Sequence, residues 1–297
     1  NGLKLANDAF GHDAGDDLLK KVAEIIQNSC RTDDIKCRTG GDEFAVLLPR
    51  TDEKQTREMK HRILSAAAEV KMGLAVVSVA VGYAVKSISE QNLQETFVEA
   101  DREMYKNKLR FGKLMRTQTV NKIMEELFSQ PDHEKDHAEK VSHYSREIAI
   151  ALGLDQEDVD RAKRAGLMHD IGKILMPAEL RNKPGKLRGN EWEMMKRHPI
   201  TGYQILKEVD EHASLADIVL YHHERYDGTG YPEGKKGDEI PVIARIIAIA
   251  EAYEEMTSER SLAVPVSQEK AVQTLKTHAG RQFDPDIVKV FIEKVLL

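Results

Sequence analysis

Apolar positions recur at helical spacing near the start of the chain. Leu18, Leu19, Val22, Ile25 and Ile26 predict an amphipathic helix. Ile35 to Arg38 and Glu43 to Leu48 read as two short strands around Thr39-Gly40-Gly41-Asp42, a hairpin turn. Leu74 to Ala84 ends in the run VVSVAVGYA, rich in β-branched residues, and predicts another strand. Leu93 to Leu109 predicts a closing helix. Strands and helices alternate over this stretch, the pattern of an α/β sheet domain. After Phe111 the strand signal ends. Lys113 to Phe128 predicts a helix joining two domains, and Ser129 to Asp132 a short break. From His133 the pattern is helical almost to the end, interrupted by polar loops at Arg181 to Gly189 and Tyr226 to Asp238. No internal repeat or low-complexity tract is visible. The expected organisation is a partial α/β domain at 1–111, a helical linker at 112–132 and an all-α bundle at 133–297.

Composition narrows the class. A length of 297 residues suits two domains, and 41% hydrophobic with 32% charged residues is enough for real cores. Aromatics are scarce at 5%, so the cores should be mostly aliphatic. The net charge of -6 argues against a nucleic-acid polymer as partner. An anionic nucleotide stays compatible, because a local metal or arginine cluster can override the global sign. Cys30 and Cys37 are too few for a disulfide framework, so a cytoplasmic location is expected. No apolar run reaches transmembrane length; Arg245 and Glu251 interrupt the stretch Pro241 to Ala252. Asn1 is not a start methionine and the first residues read as the middle of a domain, so the chain is expected to be a fragment.

Candidate chemistry gathers in the second half. His137, His169, His198, His222 and His223 form a series, with Asp170 directly after His169, Lys173 close by and Glu251 later. Neutral imidazoles plus carboxylates suit divalent transition metals, and a carboxylate can bridge two ions. Separate helices of a bundle can converge such residues. Taken singly, each has a bland reading as a core or surface residue, and composition alone leaves the two readings near balance.

The stretches GLMHDIGKILMP (166–177), KPGKL (183–187), MKRHPITG (195–202), HHERYDGTGYPEG (222–234), IPVIARIIAIAEAYEEMTSER (240–260) and FDPDIV (283–288) change that balance. With them, residues 133–297 resemble the HD-GYP branch of the HD phosphohydrolases, in the family's order and along the whole domain. The resemblance implies an all-α fold, two or three divalent metals (Fe or Mn favoured), and phosphodiesterase activity on cyclic di-GMP, giving pGpG or GMP. It implies metal ligation by His137, His169, Asp170, His198, His222 and His223, with Asp170 bridging and acting in catalysis. It places Lys173 on a scissile phosphate oxygen, and Gly230, Tyr231, Pro232 and Arg245 near the substrate. The bland reading of Gly230-Tyr231-Pro232 is an ordinary turn, and that of Arg245 a structural ion pair. Two departures stand out. Glu251, also expected as a metal ligand, occupies a position where the family usually has Asp; it can still ligate, but its extra methylene moves the carboxylate by roughly 1 Å. Where three-metal members carry Glu four residues before the first His, this chain has His133, with Glu134 beside it; either could ligate, or neither, so two metals are expected.

In the first half, Gly40-Gly41-Asp42-Glu43-Phe44 sits between the two strand-like segments, where a Gly-Gly turn lets backbone approach a ligand. With LKLANDAFGHDAGDDLL (3–19), RTGGDEFAVLLP (38–49), SVAVGYA (78–84) and ADREMYKNK (100–108), residues 1–108 resemble the GGDEF diguanylate cyclase domain. That resemblance implies guanine contacts from Asn7 and Asp16, Mg²⁺ at Asp42 assisted by Glu43, phosphate contacts from Lys4 and Lys108, and an inhibitory site at Arg31 and Asp34. Its partners would be GTP or cyclic di-GMP, on a homodimer. The family's first metal-binding Asp lies on a strand upstream of Asn1, so this chain is not expected to make cyclic di-GMP. Three functions compete: a cyclic di-GMP phosphodiesterase, a catalytically weakened cyclic di-GMP sensor, and a diguanylate cyclase in the intact protein.

Overall fold

A computed structural model describes residues 3–72, 75–129, 134–181, 183, 187–258 and 265–297. The chain forms two compact units, Asn1–Lys122 and Ile123–Leu297.

In the first unit, α1 (Leu3–Phe10) and α2 (His12–Ser29) are followed by β1 (Ile35–Arg38) and β2 (Phe44–Leu47). These strands pair antiparallel with Cys37 opposite Ala45, closing the expected hairpin. Helix α3 (Glu53–Glu69) starts at Asp52 because Asp52 and Gln55 bond each other's backbone N–H reciprocally, at 2.8 and 3.2 Å. Leu18, Ile25, Met59, Ile63, Ala67 and Val77 form the core.

The strand expected at Leu74–Ala84 is a correction. Leu74 itself lies outside the described residues. Among the described residues that follow, ladder pairing is confined to the short β4 (Ala75–Val76), which pairs with β3 (Lys71–Met72) just before it. The remainder lies against α4 (Leu93–Ser129): Asn107 donates to the Val81 carbonyl at 3.0 Å, and the Tyr83 N–H donates to Glu103 at 2.6 Å. Side chains of a helix thus satisfy backbone groups that β propensity reserved for a neighbouring strand. Helix α4 also merges the two helices expected at Leu93–Leu109 and Lys113–Phe128. Gly112 within it costs only about 1 kcal/mol relative to alanine, too little to end a helix.

The second unit is helical. It contains α5 (Glu134–Ala151), α6 (Gln156–Met168), a 3₁₀ turn (Ile171–Leu175), α7 (Ala178–Arg181), α8 (Asn190–Met195) and α9 (His198–Lys207). After these come α10 (Ala216–Tyr221), α11 (Val242–Thr257), α12 (Gln268–His278) and α13 (Pro285–Val290), ending in a π turn at Phe291–Val295. Helix α11 is apolar almost all round, and Ile243, Ile246, Ile247, Ile249 and Ala250 are buried in it, as a central helix requires. It packs on α5 and α6. Among the described residues, no helix is long and apolar enough to cross a membrane.

Candidate metal centre

Three of the expected histidines sit at helix ends, and that placement orients them. His169 caps α6, His222 caps α10, and His198 opens α9 just after α8. The last carbonyls of a helix lack intrahelical donors. Here the Nδ1 of His169 pairs with the Gly166 carbonyl at 2.8 Å, that of His198 with Met195 at 2.7 Å, and that of His222 with Val219 at 2.6 Å. A carbonyl can only accept, so each Nδ1 carries a proton, and the neutral ring presents its lone pair at Nε2. His137, within α5, reaches the same state differently: its Nδ1 lies 2.5 Å from Glu254 Oε2.

The Nε2 atoms converge. Those of His137 and His169 lie 3.3 Å apart, as do those of His198 and His222. Two groups of close donor atoms result: His137, His169, Asp170 and Glu251, and His198, His222 and His223. Asp170 faces both. Its Oδ2 is 3.2 Å from His169 Nε2, and its Oδ1 is 3.2 Å from His198 Nε2. Glu251 is arranged alike, with Oε1 3.8 Å from His169 Nε2 and Oε2 4.0 Å from His223 Nδ1. Buried Asp170 Oδ1 has no hydrogen-bond partner, a costly state for a carboxylate oxygen and one that a cation would relieve. This donor set fits two divalent ions bridged by carboxylate.

Protonation follows from the same geometry. Burial pushes His198 down to about 3 and holds His222 and His223 well below the usual histidine range, so these rings are neutral and ready to ligate. For His169, burial is outweighed by Asp170 and Glu251, and the ring is pushed up to about 9. Burial opposes the Asp170 charge, yet His169 and Lys173 hold its carboxyl well below the ordinary range. Burial pushes Glu251 up to about 8. Lys173 lies on the 3₁₀ turn with Nζ 2.5 Å from Asp170 Oδ2. Burial works against its charge, but Asp170 and other carboxylates raise its pKa.

Glycines set the spacing. A Cβ on Gly172 would stand 1.9 Å from the His198 carbonyl oxygen, so only glycine lets the Asp170–Lys173 turn meet α9 this closely. A Cβ on Gly230 would stand 2.3 Å from the Arg225 nitrogen. The loop after it carries Tyr231, which stacks on His223 with ring centroids 5.0 Å apart, and Pro232 follows in cis. Buried Glu224 clamps this loop, accepting from the backbone of Glu233 at 2.8 Å and Gly234 at 2.9 Å.

Of the remaining expected residues, Glu134 is buried at the start of α5 and lies outside both donor groups. His133 lies outside the described residues. Arg245 is ion-paired: its Nη1 donates to Asp284 at 2.6 Å and Asp238 at 2.9 Å. Sequence reasoning missed Glu254 and Glu224. The first is three residues after Glu251 on one helical face, and the second directly follows His223; both positions were readable signals.

In the first unit, Gly40 and Gly41 form the hairpin tip, with Asp42 and Glu43 exposed beside them. Lys108 lies 4.0 Å from Asp42. Asn7 on α1 lies against Gly15 of α2, while Lys4 and Asp16 are exposed. Asp34 is buried and accepts from the Arg31 backbone at 2.7 Å, which makes a local turn of that pair.

Comparison with known proteins finds a family for each half of the chain. The GGDEF diguanylate cyclase domain family matches residues 1–113, and the HD domain family matches residues 121–287. The cyclic di-GMP phosphodiesterase response regulator RpfG of Xanthomonas campestris pv. campestris is 40% identical over 52% of this chain and 41% of its own length. The 3'3'-cGAMP-specific phosphodiesterase 2 of Vibrio cholerae serotype O1 is 35% identical over 53% of this chain and 30% of its own. A cyclic di-GMP phosphodiesterase of Thermotoga maritima is 36% identical over 53% and 43%. The chain therefore spans less than half the length of these relatives. It belongs to the HD domain family, with a GGDEF segment preceding the HD domain.

Proposed function

We propose that the second unit is a metal-dependent phosphodiesterase that hydrolyses cyclic di-GMP to pGpG or GMP. The observation that carries this reading is Asp170, which turns one oxygen to each of two histidine groups. His137, His169 and Glu251 would hold one ion and His198, His222 and His223 the other, with Asp170 between them. Two such ions would supply Lewis acidity and lower the pKa of a water nucleophile. Lys173 keeps a fixed positive charge beside Asp170, where it can stabilise charge developing on a phosphoryl oxygen. His223 is 24% exposed while the other clustered groups are nearly enclosed, so a phosphodiester would approach from its side. The relatives named for cyclic di-GMP and for cGAMP support a cyclic dinucleotide as the substrate class.

The test is metal analysis of anaerobically purified protein, coupled to hydrolysis of cyclic di-GMP by wild type and Asp170→Ala. About two metal equivalents in the wild type, with metal and activity lost together in the variant, are expected. Metal-loaded wild type that leaves cyclic di-GMP intact would falsify the proposal and favour the sensor reading. We further infer that the GGDEF segment binds GTP or cyclic di-GMP at the Gly40-Gly41 hairpin. Lys108 beside Asp42 pairs a cation with a candidate Mg²⁺ ligand there, and equilibrium dialysis with labelled GTP checks it. The same reading takes the protein to be a cytoplasmic homodimer, which gel filtration and fractionation test.

A further inference from the structure

Aromatic rings from two elements frame the open side of the metal centre. Tyr231 stacks on His223 with planes 29° apart. Trp192, on α8, meets Tyr231 nearly edge-on, with centroids 6.1 Å apart and planes at 81°. Three rings therefore run from a clustered histidine outward. Trp192 is 45% exposed, in a chain with a single tryptophan and 5% aromatic residues. Helix α8 buries none of its residues, so Trp192 is not a core side chain. The helix is nonetheless tied to the site, because its last carbonyl, that of Met195, accepts from His198. Tyr231 is equally fixed, through the close approach at Gly230 and the Glu224 clamp. Two nearly perpendicular planes form a corner in which a flat ring can lie parallel to one and edge-on to the other, both favoured aromatic geometries.

We propose that Trp192 and Tyr231 form a nucleobase-stacking corner that holds a purine of a cyclic dinucleotide while its phosphodiester lies at the metal centre. This rests on the phosphodiesterase reading above and adds to it the part of the site that recognises the base. Every base offers a π-face, so the corner supplies affinity to guanine and adenine alike. A rigid platform also loses little freedom on binding.

Because Trp192 is the single tryptophan, emission under tryptophan-selective excitation reports on this residue alone. Stopped-flow mixing of the metal-loaded chain with cyclic di-GMP is expected to quench that emission within the first turnover. Inorganic phosphate, which carries no base, is expected to leave it unchanged. In steady-state hydrolysis, Trp192→Ala should raise KM about tenfold to a hundredfold, as expected for loss of one stacked base. Its kcat and metal content should stay near wild type, and Trp192→Phe should recover most of the affinity. An unchanged KM in Trp192→Ala, or equal quenching by phosphate, overturns the stacking corner. Base-dependent quenching without hydrolysis keeps the corner and overturns the hydrolase reading; hydrolysis without quenching does the reverse.

Discussion

Glu254 Oε2 lies 2.5 Å from Nδ1 of His137, and both side chains are 2% exposed. The two residues come from α11 and α5, so the contact joins the central helix to the helix carrying the first histidine of the site. A carboxylate there fixes both the ring orientation and the tautomer that leaves Nε2 free.

Glu254→Ala is therefore expected to weaken metal binding about tenfold to a hundredfold, the usual effect of removing such a partner. Metal titration by calorimetry checks this, and Glu254→Asp should restore part of the loss. Unchanged affinity in Glu254→Ala would show that the contact is packing alone.

Glu251 has a different role, because its two oxygens face the two donor groups. Glu251→Ala should lower the metal content per chain, as measured by mass spectrometry of dialysed protein. Glu251→Asp keeps the charge but withdraws the carboxylate by roughly 1 Å, a scale at which sites are sensitive. Its metal content should fall between those of wild type and Glu251→Ala.

Metal uptake should depend on pH with a definite sign. In the metal-free protein His169 is pushed up to about 9 and Glu251 to about 8. Both must lose a proton to ligate, so affinity should rise between about pH 6 and 9, with proton release on binding. Stability of the metal-free fold runs the other way. Both groups hold protons more tightly folded than at their ordinary values of 6.5 and 4.5. Their stabilising contribution is complete below those values and is lost as pH rises through about 8 and 9. Tm of EDTA-treated protein should drop over that range while metal-loaded protein drops less; a metal-free Tm that climbs with pH would contradict this.

Gly172→Ala should be among the most damaging small substitutions. Its methyl would stand 1.9 Å from the His198 carbonyl oxygen, which forces the Lys173 turn away from α9. A cost of about 1–3 kcal/mol is expected from such overpacking. For a unit of this size that corresponds to roughly 2–4 °C in Tm per kcal/mol. Gly189→Ala is a useful contrast, since a Cβ there meets nothing within 4 Å and only the positive φ of 54° opposes it.

Much of this was legible from the residues in order. Periodicity marked the helices of the second unit, and Gly40-Gly41 marked the hairpin. His169, Asp170, His198 and His222 stood out as candidates because their surroundings are local: each of these three histidines takes its orienting carbonyl from three residues earlier. His137 and His223 are placed by residues far from them in the chain, the first by Glu254 and the second by Tyr231 and Glu251. Leu74–Ala84 misled because strand propensity says nothing about whether a partner strand is present, and side chains of α4 took up its backbone groups.

The sequence by itself determined the helical elements of the second unit, the hairpin at Gly40-Gly41 and the candidate metal-ligating side chains. Only the tertiary structure decided which carboxylates serve them. Asp170 gains its second histidine group through His198, Glu254 its hold on His137, and Arg245 its pairing with Asp284, from contacts between residues far apart in the chain. The physical reason is that a helix fixes neighbours three and four residues apart, whereas the packing of α5, α6, α9 and α11 fixes which buried charges meet.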